Sequence, residues 1–269
     1  MRKLRIKHTL RVVLASQKEQ IRSETAFLAN FWADVLTAII YVVTQTVFID
    51  LLFRRAGLIA GYSRNDFFFL MFVNQFTYFS TTRLLALPMF LLVDSVRFGH
   101  FDLMMLRPVP LRAYLYARAI KPISTLLAAV PSLLIFGAMI DWSRLNIGLS
   151  SVILGIIVWI SGYFIFRTFI FALAYPVFTE GDATDSLSGF FWTASMNQMP
   201  YQNLPQFMKV LSLFIIPTLL MTAGTVAVIL MKGTSATIVV SSVAASLLLS
   251  IVFKIMWKRA LNNYSSASS

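Results

Sequence analysis

Five long apolar runs restrict the fold of this chain more than any other feature. They cover residues 27–53, 67–93, 123–140, 147–166 and 235–253. A helix needs about 20 such residues to cross the hydrocarbon core of a bilayer. Only 13% of the residues are charged and 58% are hydrophobic, whereas a soluble domain has about 25% charged residues. The sequence therefore predicts an all-α polytopic membrane protein.

The distribution of Lys and Arg predicts which connectors face the cytoplasm. Seven of these residues precede residue 27, five lie between residues 94 and 121, and three follow from Lys254. The other connectors carry fewer, and basic connectors favour the cytoplasmic side. We therefore expect both termini in the cytoplasm and an even number of crossings. The net charge of +12 reflects this bias and attraction to anionic lipid, so we expect no nucleic-acid partner.

Residues 1–26 form a basic leader before the first run. Charges continue to Glu24, which excludes a cleaved signal peptide. The leader has one apolar helical face, made by Leu10, Val13, Leu14 and Ile21. We expect an amphipathic helix that lies on the cytoplasmic membrane surface.

Residues 177–230 allow two six-span topologies. In the first, residues 177–208 form a cytoplasmic loop and residues 210–230 cross the membrane. In the second, a short fifth span lies near residues 185–199, and residues 201–230 form a re-entrant helical hairpin on the outer side. Hydropathy favours the first topology. Pro200, Pro205 and Pro217 favour the second, because irregular backbone at membrane depth must be buried in protein.

The residues that usually carry catalysis are scarce. The chain has no Cys and only two His, which excludes thiolate sites and disfavours a His metal cluster. No phosphate-binding GxxxxGK[ST] loop is present. We therefore expect no catalytic residues, no metal site and no cofactor in this chain, and any ATP chemistry must belong to another subunit.

Several polar side chains lie within or beside the apolar runs. The candidates for a transport pathway are Asn74, Gln75, Arg83, Asn197 and Gln198. Each could instead form a hydrogen bond between helices. Lys121 and Arg167 are expected near cytoplasmic span ends, with their cationic groups extended to the interface.

The connector FGHFDLMMLRPVPLR (98–112) is richer in apolar and charged residues than a turn requires. Phe98, Phe101 and Met105 are spaced as one helical stripe. Pro108 and Pro110 end the helix. Two interpretations remain at this point: an interfacial helix resting on lipid, or a short helix that inserts its apolar side chains into a groove of a cytoplasmic partner.

The same connector resembles an element of the membrane subunits of type 2 ABC exporters. It is similar to the glycine–acid–LLRPV pattern of one bacterial branch, through Gly99, Asp102, Arg107, Pro108 and Val109. The tail KRALNNYSSASS is similar to the ending of that branch, through Tyr264, Ser266 and Ala267. The order of leader, spans and proline-rich stretch also fits. His100-Phe101 departs from the smaller aliphatic residues expected there.

The resemblance implies a permease subunit without ATPase activity, located in a bacterial cytoplasmic membrane. Its implied partners are two ATP-binding subunits, which bind ATP and Mg, and a second permease, identical or paralogous. The implied ATPase-coupling residues are Arg97, Phe98, Gly99, Phe101, Asp102, Met105, Leu106, Arg107 and Pro108. It also favours the re-entrant topology.

Three regions are then expected. Residues 1–26 form the interface helix, residues 27–257 form one transmembrane domain, and residues 258–269 form a cytoplasmic tail. The coupling helix covers about residues 95–108, and the re-entrant region about residues 201–230. The abundance of Phe and Met favours an amphiphilic or hydrophobic substrate, such as a drug, lipid or peptide-like compound. A secondary transporter and a lipid-modifying membrane enzyme are the alternatives.

Overall fold

The structure, a computed structural model, describes residues 2–25, 28–59, 61–194, 199–232 and 235–264. These residues form helices joined by turns and contain no strand. The helices are α1 (Arg2–Thr25), α2 (Leu28–Ala56), α3 (Arg64–Thr81), α4 (Leu87–Arg97), α5 (Phe101–Met105), α6 (Leu111–Ala119), α7 (Pro122–Met139), α8 (Leu149–Ala174), α9 (Val177–Glu180), α10 (Thr184–Ala194), α11 (Gln206–Ser212), α12 (Pro217–Leu219), α13 (Thr225–Ile229) and α14 (Ser235–Asn263).

Five helical stretches of the described residues are long and apolar enough to cross a membrane. They are Val35–Ala56, Arg64–Arg97, Pro122–Met139, Leu149–Glu180 and Ser235–Asn263. Each coincides with one of the five apolar runs in the sequence. A sixth is added if Gln206–Ser212 and Pro217–Ile229, which meet at 98°, count as one broken span. The predicted all-helical, multi-span fold is confirmed.

Two stretches of π-helix interrupt otherwise regular helices. Thr82–Ala86 joins α3 to α4 within the continuous stretch Arg64–Arg97. Leu220–Gly224 joins α12 to α13. Such π turns are rare and concentrate at functional sites. The first one contains Arg83, a sequence-predicted pathway residue.

Residues 202–232 fold back so that their two ends meet at one end of the bundle. The Gln202 side-chain amide donates to the Lys232 carbonyl. The Lys232 ammonium in turn pairs with Asp66 and donates to the Gly61 carbonyl (2.8 Å). Between these ends, α12 and α13 are buried against α8. This fold-back has the shape of the predicted hairpin, while its depth in a bilayer stays a prediction. The predicted fifth span lies partly in 195–198, outside the described residues, and α10 covers its start.

Two glycines of α8 allow the fold-back to approach closely. A Cβ placed on Gly155 would lie 2.4 Å from Ile229 Cγ1, and one on Gly162 would lie 2.3 Å from Met221 Cγ. Neither distance is compatible with van der Waals contact. Small residues at a helix interface are what permit such close packing in membranes.

Gly155→Ala is expected to destabilise the protein by about 1–3 kcal/mol, because it overpacks this contact. The β-branched Ile229 has few rotamers with which to yield. Adding Ile229→Ala should recover part of the loss. The measurement is the thermal midpoint in detergent. Gly189→Ala is the control, since its Cβ would meet nothing within 4 Å; an equal loss there would contradict the close-packing explanation.

The leader helix α1 is bonded to the junction between α6 and α7. The Gln17 side-chain amide donates to the Ala117 carbonyl (2.5 Å). The Glu24 carboxylate accepts from the Ile123 N–H (2.9 Å) and the Ser124 hydroxyl (2.6 Å). Glu24 thereby caps the first turn of α7 and complements its dipole. Leu10, Leu14 and Ile21 of the predicted apolar face are exposed, as a lipid-facing surface would require.

Glu24→Gln is expected to loosen this junction, because an amide is a weaker acceptor than a carboxylate for two donors at a helix N-terminus. A loss of about 1–2 kcal/mol is typical of a removed cap. Hydrogen exchange should then become roughly tenfold faster in α1 and the first turn of α7. Glu19→Gln, at an exposed position of α1, should leave exchange unchanged. Unaltered protection in Glu24→Gln would mean that α1 is held by other contacts.

Candidate functional site

The connector between α4 and α5 turns on a glycine in the left-handed region. Gly99 has φ = +73°, and its N–H donates to the Val96 carbonyl (3.1 Å). An added Cβ would meet nothing within 4 Å, so the requirement for glycine is conformational rather than steric. This turn separates α5 from the long helix that precedes it.

The inner side of α5 is fixed to the bundle by aromatic contacts. Phe101 has no exposed surface, and Met104 is 4% exposed. The Phe101 ring makes edge-to-face contacts with Phe178 (centroids 5.8 Å apart) and Tyr264 (4.8 Å). Such contacts add to the stability gained from burial. The two motifs quoted for the family resemblance, one near residue 100 and one near residue 264, are therefore in contact.

Two charged residues, Asp102 of α5 and Arg97 at the end of α4, connect the α5 region to its neighbours. Burial and the nearby Asp102 carboxylate raise the pKa of Tyr264 to about 12, so the phenol stays neutral. Arg97, at the end of α4, pairs with Asp182 (3.4 Å). The side-chain and backbone donors of Thr184 lower the pKa of Asp182. The acidic turn before α10 thus contacts the base of the connector.

The outer side of α5, together with the residues that flank it, is an exposed apolar surface. Its members are Phe98 (63% exposed), Leu103 (61%), Met105 (42%) and Leu106 (80%). The predicted stripe of Phe98, Phe101 and Met105 is therefore divided, since Phe101 faces the core. Leu103 was missed by the sequence analysis, which assumed one uninterrupted helix. We call these four residues the α5 surface.

Cavities flank the α5 surface on the side of α1 and α6. The first has a volume of about 240 Å³ and is lined by Leu91, Asp94, Ser95, His100, Leu103, Met104, Arg107, Tyr114 and Arg118. The second, of about 280 Å³, is lined by Ser16, Glu19, Gln20, Ser23, Arg107, Tyr114 and Arg118. Arg107, whose guanidinium lies 4.7 Å from the Tyr114 ring centroid, lines both. Pro108 is exposed beside it. The α5 surface is thus bordered by one mainly apolar cavity and one mainly polar cavity.

The predicted pathway residues are not brought into one place. Asn74 and Gln75 are buried on α3 (6% and 5% exposed), and neither lines one of the cavities described here. Arg83 is half-buried in the first π segment. Asn197 and Gln198 lie outside the described residues.

The remaining cations have different surroundings. Lys121 is exposed just before α7. Arg167 stacks on the Phe253 ring (4.3 Å). Arg112, a residue that the sequence analysis did not single out, stacks on the same ring (5.0 Å). Among the described residues, no three potential metal ligands come together.

Comparison with known proteins decides the family. The profile described as ABC-2 family transporter protein matches residues 39–268. This chain belongs to the ABC-2 transporter family. The match includes every candidate spanning helix except the first few residues of one, together with α5 and its contacts. The resemblance inferred from residues 99–109 and the tail is thereby confirmed.

Membership in the ABC-2 family has direct consequences. The chain is a multi-pass membrane protein and a permease component of an ABC transporter. The family is the membrane component of such transporters and not the ATPase, so membership implies an ATP-binding partner. No curated protein and no solved structure matched the chain.

Proposed function

We propose that this ABC-2 permease is the membrane subunit of a bacterial exporter for amphiphilic or hydrophobic compounds. Two permeases, identical or paralogous, pair in the cytoplasmic membrane with their termini in the cytoplasm. Two separate ATPase subunits bind ATP and Mg and drive the cycle. Of the functions considered from the sequence, family membership favours this one over a secondary transporter or a lipid-modifying enzyme.

The observation that carries this proposal is the α5 surface. It places four exposed apolar side chains at the end of the bundle with most of the basic connectors. The opposite side of the same five-residue helix is buried against α9 and the tail. A short helix that is fixed on one side and apolar on the other suits insertion into a groove on a partner. The ATPase is the partner that the family implies.

Motion at α5 would be transmitted along a defined route. The connector follows directly from the continuous helix Arg64–Arg97 and leads through α6 into α7. Closure of an ATP-bound ATPase dimer would displace residues 96–107 and tilt these helices. The pathway would then shift between two packings, of which ATP binding favours one. The leader α1, bonded to the α6–α7 junction, would move with them.

The substrate class is inferred from the amino-acid composition of the chain. The chain has 24 Phe and 12 Met but only 13% charged residues, a composition that suits apolar ligands better than bare ions. Asn74, Gln75 and Arg83, with Asn197 and Gln198, remain the candidates for polar contacts along the pathway.

Co-purification and transport test this function together. The tagged chain, purified from its native host, should retain an ATPase subunit through detergent extraction. Inverted vesicles containing both should accumulate a lipophilic dye only when ATP and Mg are supplied. Vesicles with an ATPase variant unable to hydrolyse ATP are the control. Failure to retain any ATPase would overturn the proposed assembly, and transport driven by an ion gradient alone would favour a secondary transporter.

A further inference from the structure

Two arginines from different helices meet on one aromatic ring. The Arg112 guanidinium of α6 lies 5.0 Å from the Phe253 ring centroid and 4.4 Å from that of Trp257. The Arg167 guanidinium of α8 lies 4.3 Å from the same Phe253 ring and 5.0 Å from that of Phe164. Cation–π contacts of this kind hold guanidinium groups in place. Both guanidinium groups therefore lie within 5.0 Å of one ring centroid, and the charge of Arg167 acts on Arg112.

Among the described residues, no acidic side chain pairs with Arg112 or Arg167. Within the described part of the chain, the ion pairs involve neither arginine. Arg167 Nε is buried with no acceptor among the described residues, and its Nη2 donates to the Ser250 hydroxyl at 3.5 Å. The pKa of Arg112 is lowered by burial and then by the charge of Arg167. Two unneutralised like charges and an orphaned donor indicate a missing negatively charged ligand.

The surroundings indicate what kind of anion fits. Phe164, whose ring lies 5.0 Å from the Arg167 guanidinium, is 38% exposed, and Ile160, one turn earlier on the same face of α8, is 45% exposed. Both belong to a candidate span, so this face of α8 is available to acyl chains. The aromatic partners of the two arginines, Phe253 and Trp257, are one helix turn apart near the C-terminal end of α14, the end of the bundle that carries α5. With this end in the cytoplasm, as proposed above, the pair would lie at the headgroups of the cytoplasmic leaflet.

We propose that Arg112 and Arg167 bind the phosphate group of an anionic phospholipid, whose acyl chains lie along the exposed apolar side chains of α8. Guanidinium groups match phosphate oxygens through paired, charge-assisted hydrogen bonds. Basic pockets between spanning helices on the cytoplasmic side are suited to anionic headgroups. The site is independent of the ATPase assembly and of any transported substrate.

Native mass spectrometry of the full chain in dodecyl maltoside tests this site. The probes are dihexanoyl-phosphatidylglycerol and dihexanoyl-phosphatidylcholine, which share the same acyl chains, and sodium phosphate. The chain should bind phosphatidylglycerol more tightly than phosphatidylcholine, by roughly fivefold for each arginine. Arg112→Gln with Arg167→Gln should abolish that preference, and each single variant should reduce it.

Arg54→Gln with Arg55→Gln is the matched control, because it removes the same charge from exposed positions at the other end of the bundle. This variant should keep the wild-type preference. Equal binding of the two lipids to the wild type, or a preference that survives the paired Arg112 and Arg167 changes, would overturn the proposal. Displacement of phosphatidylglycerol by an equal concentration of inorganic phosphate would also overturn it, by assigning the site to free phosphate. Where the single variants retain the wild-type thermal midpoint, misfolding is excluded as the cause of a reduced lipid preference.

Discussion

Leu103→Asp combined with Leu106→Asp is expected to abolish retention of the ATPase and ATP-dependent transport, with losses of tenfold or more for each single change. Leu103 and Leu106 are 61% and 80% exposed, so their replacement leaves the permease folded. In the assembled transporter the same positions would become buried. An unpaired carboxylate in such an interface costs several kcal/mol, and each 1.4 kcal/mol is a factor of ten in affinity.

Leu149→Asp is the matched control for these variants. The chemical change, Leu to Asp at an exposed position, is the same. Leu149 is 79% exposed at the start of α8, which lies at the opposite end of the bundle from α5. This variant should retain the ATPase and transport normally. The comparison also separates the two interpretations of the connector. A helix that only rests on lipid would tolerate the Leu103 and Leu106 changes without losing the ATPase, and that outcome would refute the coupling role of α5.

Phe101→Ala is expected to lower stability and transport together. The Phe101 ring is fully buried between Phe178 and Tyr264, and truncation of a buried Phe to Ala typically costs about 3–5 kcal/mol. The thermal midpoint in detergent should therefore fall. Transport should fall further than stability alone explains, because α5 loses its inner support.

Phe98→Ala provides the contrast, since Phe98 is 63% exposed. It should leave the thermal midpoint unchanged and weaken only ATPase retention. Tyr264→Ala should resemble Phe101→Ala, and the two together should cost less than their sum, because they remove the same ring contact. Additive losses would show that Phe101 and Tyr264 act independently and would remove the tail from the coupling route.

The spanning helices could be predicted because membrane insertion depends on local composition. The apolar runs at 123–140 and 235–253 correspond to α7 (Pro122–Met139) and to most of α14 (Ser235–Asn263). The uninterrupted length of a run determines the helix, whatever its neighbours are. The family could be recognised as well, because the connector and the tail resemble motifs of that family and the profile match bears this out.

The face presented by α5 could not be predicted from spacing. A stripe through Phe98, Phe101 and Met105 assumes a continuous helix over those residues. The left-handed turn at Gly99 resets the helical phase, and α5 begins only at Phe101. Phe101 therefore faces inward and Leu103 outward. No local rule gives the new phase, because it depends on how the turn directs the chain against α9 and the tail.

The meeting of Arg112 and Arg167 was also beyond sequence reasoning. These residues come from separate helices, and their shared ring, Phe253, lies on a third. The sequence predicts only that Arg167 lies near a cytoplasmic span end and extends its cationic group to the interface. Only tertiary packing shows that a second guanidinium and an aromatic surface lie beside it.

The π turn at Thr82–Ala86 affects how the second spanning helix should be drawn. Each i→i+5 turn holds about one residue more than an α-turn, and one residue corresponds to about 100° around a helix. A single helical wheel through Arg64–Arg97 therefore misassigns one half or the other. Two wheels with separate phases are needed, one for Arg64–Thr81 and one for Leu87–Arg97. Cysteine-accessibility scanning should accordingly show the labelled face rotate by about 100° across Arg83, and cross-links designed from an uninterrupted wheel would join the wrong faces.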